Sequence, residues 1–138
     1  MPNIGWRIYA WAYLAALGVA HWSIIRAGAT AVDLLDLPLS LCAAAGVLGF
    51  AHQWRLGSQL FWRGFLIPFV AWELTYNVVL GAWLGIAQHE SLVRPMSTHP
   101  LATVVVAGLV AALVVPSYVA VFRYGYRSAQ LWQSHRTA

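Results

Sequence analysis

The sequence predicts an all-α integral membrane protein, a bundle of four antiparallel transmembrane helices with both termini in the cytoplasm. Three observations predict it. Hydrophobic residues make up 61% of the 138 residues and charged residues 9%, against about 25% charged in a typical soluble domain. The apolar residues fall into four runs, each near the roughly 20 residues that a spanning helix needs. The basic residues, all arginine, stand at or near the ends of those runs.

The first span is expected over residues 6–25. Arg7 followed by an apolar run, with Gly18-Val19-Ala20 behind it, imitates a signal peptide. The run from Ile8 to Ile25 is nonetheless long enough to span and rich in Trp and Tyr, so a membrane helix is expected. The second span is expected over 34–51, the third over 64–87 and the fourth over 101–122, with Arg26, Arg55, Arg63, Arg94 and Arg123 at the breaks. The connections are short, so consecutive helices are antiparallel neighbours, and residues 1–138 form one domain.

Orientation follows from the arginine bias. Arg7, Arg55, Arg63, Arg123, Arg127 and Arg136 fall on the side of the termini and the second loop, and only Arg26 and Arg94 on the other. Trp6, Trp11, Trp54, Trp62, Tyr124 and Tyr126 are then expected at the cytoplasmic interface, and Trp22 and Trp83 at the opposite one. The tail RYGYRSAQLWQSHRTA carries three of the arginines. Its expected role is to hold the topology, rather than to form a basic helix on anionic lipid.

Several function classes are excluded. The arginines are scattered, whereas a nucleic-acid footprint clusters them on one face. Cys42 is the single cysteine, which excludes an internal disulfide, a CxxC pair and the paired cysteines of the vitamin K epoxide reductase type. Without lysine there is no retinal Schiff base. The Ala- and Arg-rich, lysine-free composition points to a high-GC bacterium, and hence to its inner membrane.

The third span holds the feature that most needs explaining: FVAWELTYNVVLGAWLG, Phe69 to Gly85, is apolar around Glu73. Glu73, Asn77, Gly81 and Gly85 recur at i+4, with Tyr76 beside them, so on a regular helix they form a ridge expected to face protein or water. Gly81 and Gly85 make a GxxxG, and Ala16 with Ala20 and Gly108 with Ala112 are further small-residue pairs expected at close helix contacts. At 1.5 Å per residue Glu73 lies about 13–15 Å deep, near the middle of a core about 30 Å thick. Tyr13, Cys42 and Ser117, expected at comparable depth, supply no cation, so a neutral Glu73 acting as interhelical hydrogen-bond glue or as a proton site is expected. Pro68 and Pro116 lie at a similar level of their spans and interrupt helix hydrogen bonding.

A second polar group falls on the outer side: Asp33, Asp36, His89, Glu90 and His99, with His21 nearby. It lacks tight metal-ligand spacing, and Asp36, just before Pro38, is expected to cap the second helix. His21 and His52 belong to opposite ends, which excludes them as an axial haem pair. No nucleophile–His–acid arrangement or phosphate-binding glycine loop is present, so neither an enzyme nor a bound cofactor is expected. The size and four spans resemble the small multidrug resistance transporters. That likeness is architectural, because those proteins carry their essential carboxylate in the first helix and here the first helix has no acid.

Two functional readings follow. The leading one is a non-enzymatic membrane subunit or homo-oligomer acting through lateral helix contacts, with lipid and other transmembrane helices as its partners. The alternative is a small proton- or ion-coupled transporter or channel with Glu73, Tyr76 and Asn77 as its intramembrane polar site.

Overall fold

The computed structural model describes residues 3–83 and 100–133. Among them every regular element is helical: α1 (Ile4–Gly28), α2 (Ala31–His52), α3 (Gln59–Leu74), a π-helical continuation π1 (Thr75–Trp83), α4 (Pro100–Phe122), a second π-helical stretch π2 (Arg123–Arg127) and a short α5 (Ala129–Gln133). Among the described residues three stretches are long and apolar enough to cross a membrane, Ile4–Gly28, Ala31–His52 and Gly108–Arg127. The expected third span, 64–87, is divided between α3 and π1, and its last residues lie outside the described ones.

Local chemistry sets the element ends. Asn3 opens α1 by accepting from the Trp6 amide, and Ser58 does the same for α3 at the Phe61 amide. Thr30 opens α2 with a reciprocal capping box. Its hydroxyl accepts from the Asp33 amide, while the Asp33 carboxylate accepts from the Thr30 amide at 2.8 Å. This corrects the expectation that Asp36 caps α2, since Asp36 lies one turn too far in. α2 stops at Gln53, whose left-handed backbone (φ 58°) turns the chain toward α3.

α2 is the central helix. It packs against α1 on one flank and α4 on the other, and α3 packs against α4 and π2. Ten α2 residues are buried, against three in the longer α1. The hydrophobic core lies toward the end that holds the start of α1, the α2–α3 turn and the end of α4. Phe61, Phe65 and Phe69 recur at i+4 on α3 with stacked rings 5.8 and 5.3 Å apart. The Trp62 and Tyr124 rings meet edge to face at 5.2 Å.

Two aromatics assigned to the interface therefore belong to the core instead, since Trp62 and Tyr124 are both fully buried. Each has a glycine of α2 beneath it. A Cβ at Gly46 would stand 2.6 Å from the Trp62 ring, and one at Gly49 would stand 2.7 Å from the Tyr124 ring. These are the small residues that let helices approach. Of the pairs expected in that role, Gly81 and Gly85 run into residues that are not described, and the other two are open within this chain. Ala20, Gly108 and Ala112 are exposed, and Gly108 has open space where a side chain would be.

The same end is locked by polar contacts to backbone. The Tyr124 hydroxyl donates to the Trp54 carbonyl at 2.6 Å and accepts from the Leu56 amide at 2.8 Å. Gln59 and Arg63 both donate to the Gly125 carbonyl, at 2.9 and 3.2 Å. The tail folds back on this turn, with the Trp132 indole donating to the Tyr124 carbonyl and Arg55 to the Leu131 carbonyl. Arg55 and Arg63 thus bind main chain besides marking the end of the bundle.

Candidate functional site

The opposite end of the bundle gathers acid. The chain has four acidic residues. Three are described, Asp33, Asp36 and Glu73, and all three lie where the start of α2 meets the end of α3. Asp33 and Asp36 are 2% and 5% exposed. Buried carboxylates require donors, and here the donors come from three helices.

Asp36 is the hub. Its Oδ1 accepts from the Trp72 indole of α3 at 2.7 Å. Its Oδ2 accepts from the Ser40 hydroxyl one turn along α2 at 3.1 Å, and faces His21 Nε2 of α1 at 3.2 Å. One side chain thereby joins α1, α2 and α3. Asp33 makes a second joint, because its Oδ1 accepts from the Tyr76 hydroxyl at 2.6 Å while Oδ2 holds Thr30.

The His21 ring has a decisive geometry. Its Nδ1 lies 3.0 Å from the Leu17 carbonyl, which can only accept, so Nδ1 carries a hydrogen. Nε2 then faces the Asp36 carboxyl group, and a hydrogen bond along the Nε2–Oδ2 line uses one proton. A carbonyl that fixes one ring nitrogen and an acid at the other make a proton-holding unit.

Glu73 stands beside this unit. It is half-buried and accepts from the Asn77 side chain at 2.9 Å; Asn77 also reaches the Glu73 carbonyl at 2.9 Å. Tyr118 of α4, Asp36 and His21 are close enough to act on Glu73 electrostatically. The sequence-level residues therefore separate. Tyr76 is buried and serves Asp33, Glu73 sits at the edge of the acid cluster, and Asn77 is exposed.

The ridge of Glu73, Asn77, Gly81 and Gly85, expected to face protein or water, runs from α3 into the π-helical turn. With hydrogen bonds running i to i+5 instead of i to i+4, each turn takes in more residues, and an i+4 series no longer keeps one face. Gly81 lies in π1, while Gly85, His89, Glu90 and His99 lie outside the described residues. His52 is at the far end of α2, stacked on Trp54 at 4.6 Å, a full helix length from His21. Among the described residues no group of three or more His, Cys, Asp or Glu is placed to hold a metal ion.

The Asp36–Trp72 and Asp33–Tyr76 pairs were not anticipated from sequence, although a signal exists. Acceptors at 33 and 36 on α2 and donors at 72 on α3 and 76 on π1 pair in opposite order along the two segments, as antiparallel neighbours require. No protein-family model, curated protein or solved structure matches the chain.

Proposed function

We propose that this chain is a small proton-coupled membrane protein. It crosses a bacterial inner membrane four times with both termini in the cytoplasm, and its working site is the His21–Asp36 pair with Glu73 beside it. The observation that carries the proposal is the His21 ring, held by the Leu17 carbonyl at one nitrogen with the other on the Asp36 carboxyl group. Ionisable groups inside a membrane helix bundle are costly and are retained where they move protons or ions. Here three acids and a histidine converge in a chain with few charges to place. Trp72, Ser40 and Tyr76 hold the carboxylates in position.

The test is proton flux in liposomes containing only the purified protein. Wild type should carry protons down an imposed potential. Glu73→Gln and Asp36→Asn should fold with native helical content and lose the flux, since each removes a group that gains and releases a proton. Flux from both variants at the wild-type rate would overturn the assignment.

A second reading, a subunit or homo-oligomer working through lateral contacts, draws support from a different observation. Asn77 is exposed and Glu73 half-buried on the outer side of the chain, and a polar face is costly in lipid. On this reading another transmembrane helix covers it. Co-purification from native membranes with a fixed partner at constant stoichiometry, together with no flux in liposomes, would favour this reading over the first.

A further inference from the structure

The end of the bundle away from the acid cluster carries a cationic surface built on aromatic rings. Arg63 of α3 and Arg127 of π2 are both exposed there. Phe122 and Tyr126, where α4 passes into π2, stack their rings 5.1 Å apart and 21° from parallel. The Arg63 guanidinium covers the Tyr126 ring at 5.6 Å, and the Arg127 guanidinium covers the Phe122 ring at 5.8 Å. The set is tied to the fold, because the Tyr126 hydroxyl donates to the Arg63 carbonyl at 3.2 Å and Arg63 Nε donates to the Gly125 carbonyl at 3.2 Å. Those bonds leave the terminal N–H groups of Arg63, and every side-chain N–H of Arg127, for another acceptor. Among the described residues no carboxylate pairs with either guanidinium, since Asp33, Asp36 and Glu73 lie toward the opposite end.

We propose that this surface binds the headgroups of anionic phospholipid in the leaflet at that end of the bundle. The site is separate from the acid cluster and does not depend on the proton-coupled reading. A guanidinium presents a planar fork of donors that matches phosphate oxygens. Here the rings hold two such forks in place before a ligand arrives, which reduces the ordering that binding costs. The surface next to the cations is apolar. Val119 and Val115 precede Phe122 by three and seven residues on α4, so the three share a face. All three are exposed, Phe122 by 39%, Val119 by 38% and Val115 by 54%. The ligand that fits both parts carries an anion at one end and a hydrocarbon chain at the other, which is the chemistry of an acidic phospholipid. A free phosphate would engage the forks alone. Basic residues at a membrane surface attract anionic lipid in general; the ring stack adds a fixed position to that attraction.

The experiment titrates the full chain, in micelles of uncharged detergent, with phosphatidylglycerol or with phosphatidylcholine of the same acyl chains, and counts bound lipid by native mass spectrometry. Wild type should bind the first phosphatidylglycerol at least about tenfold more tightly than phosphatidylcholine. Arg63→Gln and Arg127→Gln should each weaken phosphatidylglycerol about fivefold and leave phosphatidylcholine unchanged. Phe122→Leu keeps an apolar side chain but removes the ring under Arg127, and should weaken phosphatidylglycerol about threefold. Arg7→Gln makes the same charge change off the stack and should stay within about twofold of wild type. Helical content is measured on every variant, and if Arg63→Gln does not fold, Arg127→Gln decides, because Arg127 touches the fold through its ring contact. Excess inorganic phosphate should leave the bound lipid in place. Equal affinity of wild type for the two lipids would overturn the site. So would a loss in Arg7→Gln as large as in Arg127→Gln, which would reduce the effect to net charge. Displacement of the lipid by inorganic phosphate would overturn the lipid as occupant in favour of a free anion.

Discussion

Asp36 joins three helices through one carboxyl group, and its replacement separates a hub from a single contact. Three donors from α1, α2 and α3 converge on it. Hydrogen bonds between membrane helices contribute about 0.6 kcal/mol each on average, and up to about 1.7. Asp36→Ala removes three and leaves the Trp72 indole without its acceptor, so it should cost about 2 kcal/mol or more. Tyr76→Phe removes the bond to Asp33, which should cost about 0.6 kcal/mol. Unfolding in detergent followed by tryptophan fluorescence measures both, and equal losses would show that Asp36 is not a hub. That Glu73 would be important was legible from its isolation in an apolar run. That Asp36 would be more so was not, because Asp33 and Asp36 read as outer-loop or capping residues, and burial by neighbouring helices is a property no local pattern carries.

At the scale of elements, the contacts of α2 turn on two glycines. Gly46 and Gly49 lie under the Trp62 and Tyr124 rings, where even a methyl group would overlap rigid aromatic atoms at 2.6 and 2.7 Å. Overpacking of this kind costs about 1–3 kcal/mol, so Gly46→Ala and Gly49→Ala should each lower the melting temperature in detergent. Gly108→Ala meets nothing within 4 Å and replaces a poor helix former with the best one, so it should be neutral or raise stability by up to about 1 kcal/mol. A scan that ranks Gly108 with Gly46 would show that α4 is covered by another helix in the native membrane. The sequence contains several small-residue pairs and no means of ranking them. Only knowledge of which aromatic ring lies opposite each glycine separates the packed from the open ones. The π-helical turn has the same lesson, since the i+4 spacing of Glu73, Asn77 and Gly81 has meaning only on a regular α-helix.

At the scale of the molecule, the start of α1, the α2–α3 turn and the end of α4 come together at one end, tied by Tyr124, Gln59 and Arg63. With most arginines at that end, a cytoplasmic reporter fused after Ala138 should be active and a periplasmic one silent, and the reverse pattern would place the acid cluster on the cytoplasmic side. What the sequence determined by itself was the solvent and the all-helical class. A chain with 61% hydrophobic residues in runs of spanning length must form helices in lipid, because in a medium without water each backbone amide and carbonyl has to be satisfied within its own segment. What only the tertiary structure decided was which polar groups meet. The pairing of Asp36 with His21 and Trp72, and of Asp33 with Tyr76, depends on the rotation and register of one helix against the next. In lipid that register is fixed by close packing of small residues against rings, not by an apolar stripe, so it leaves no periodic trace along the chain.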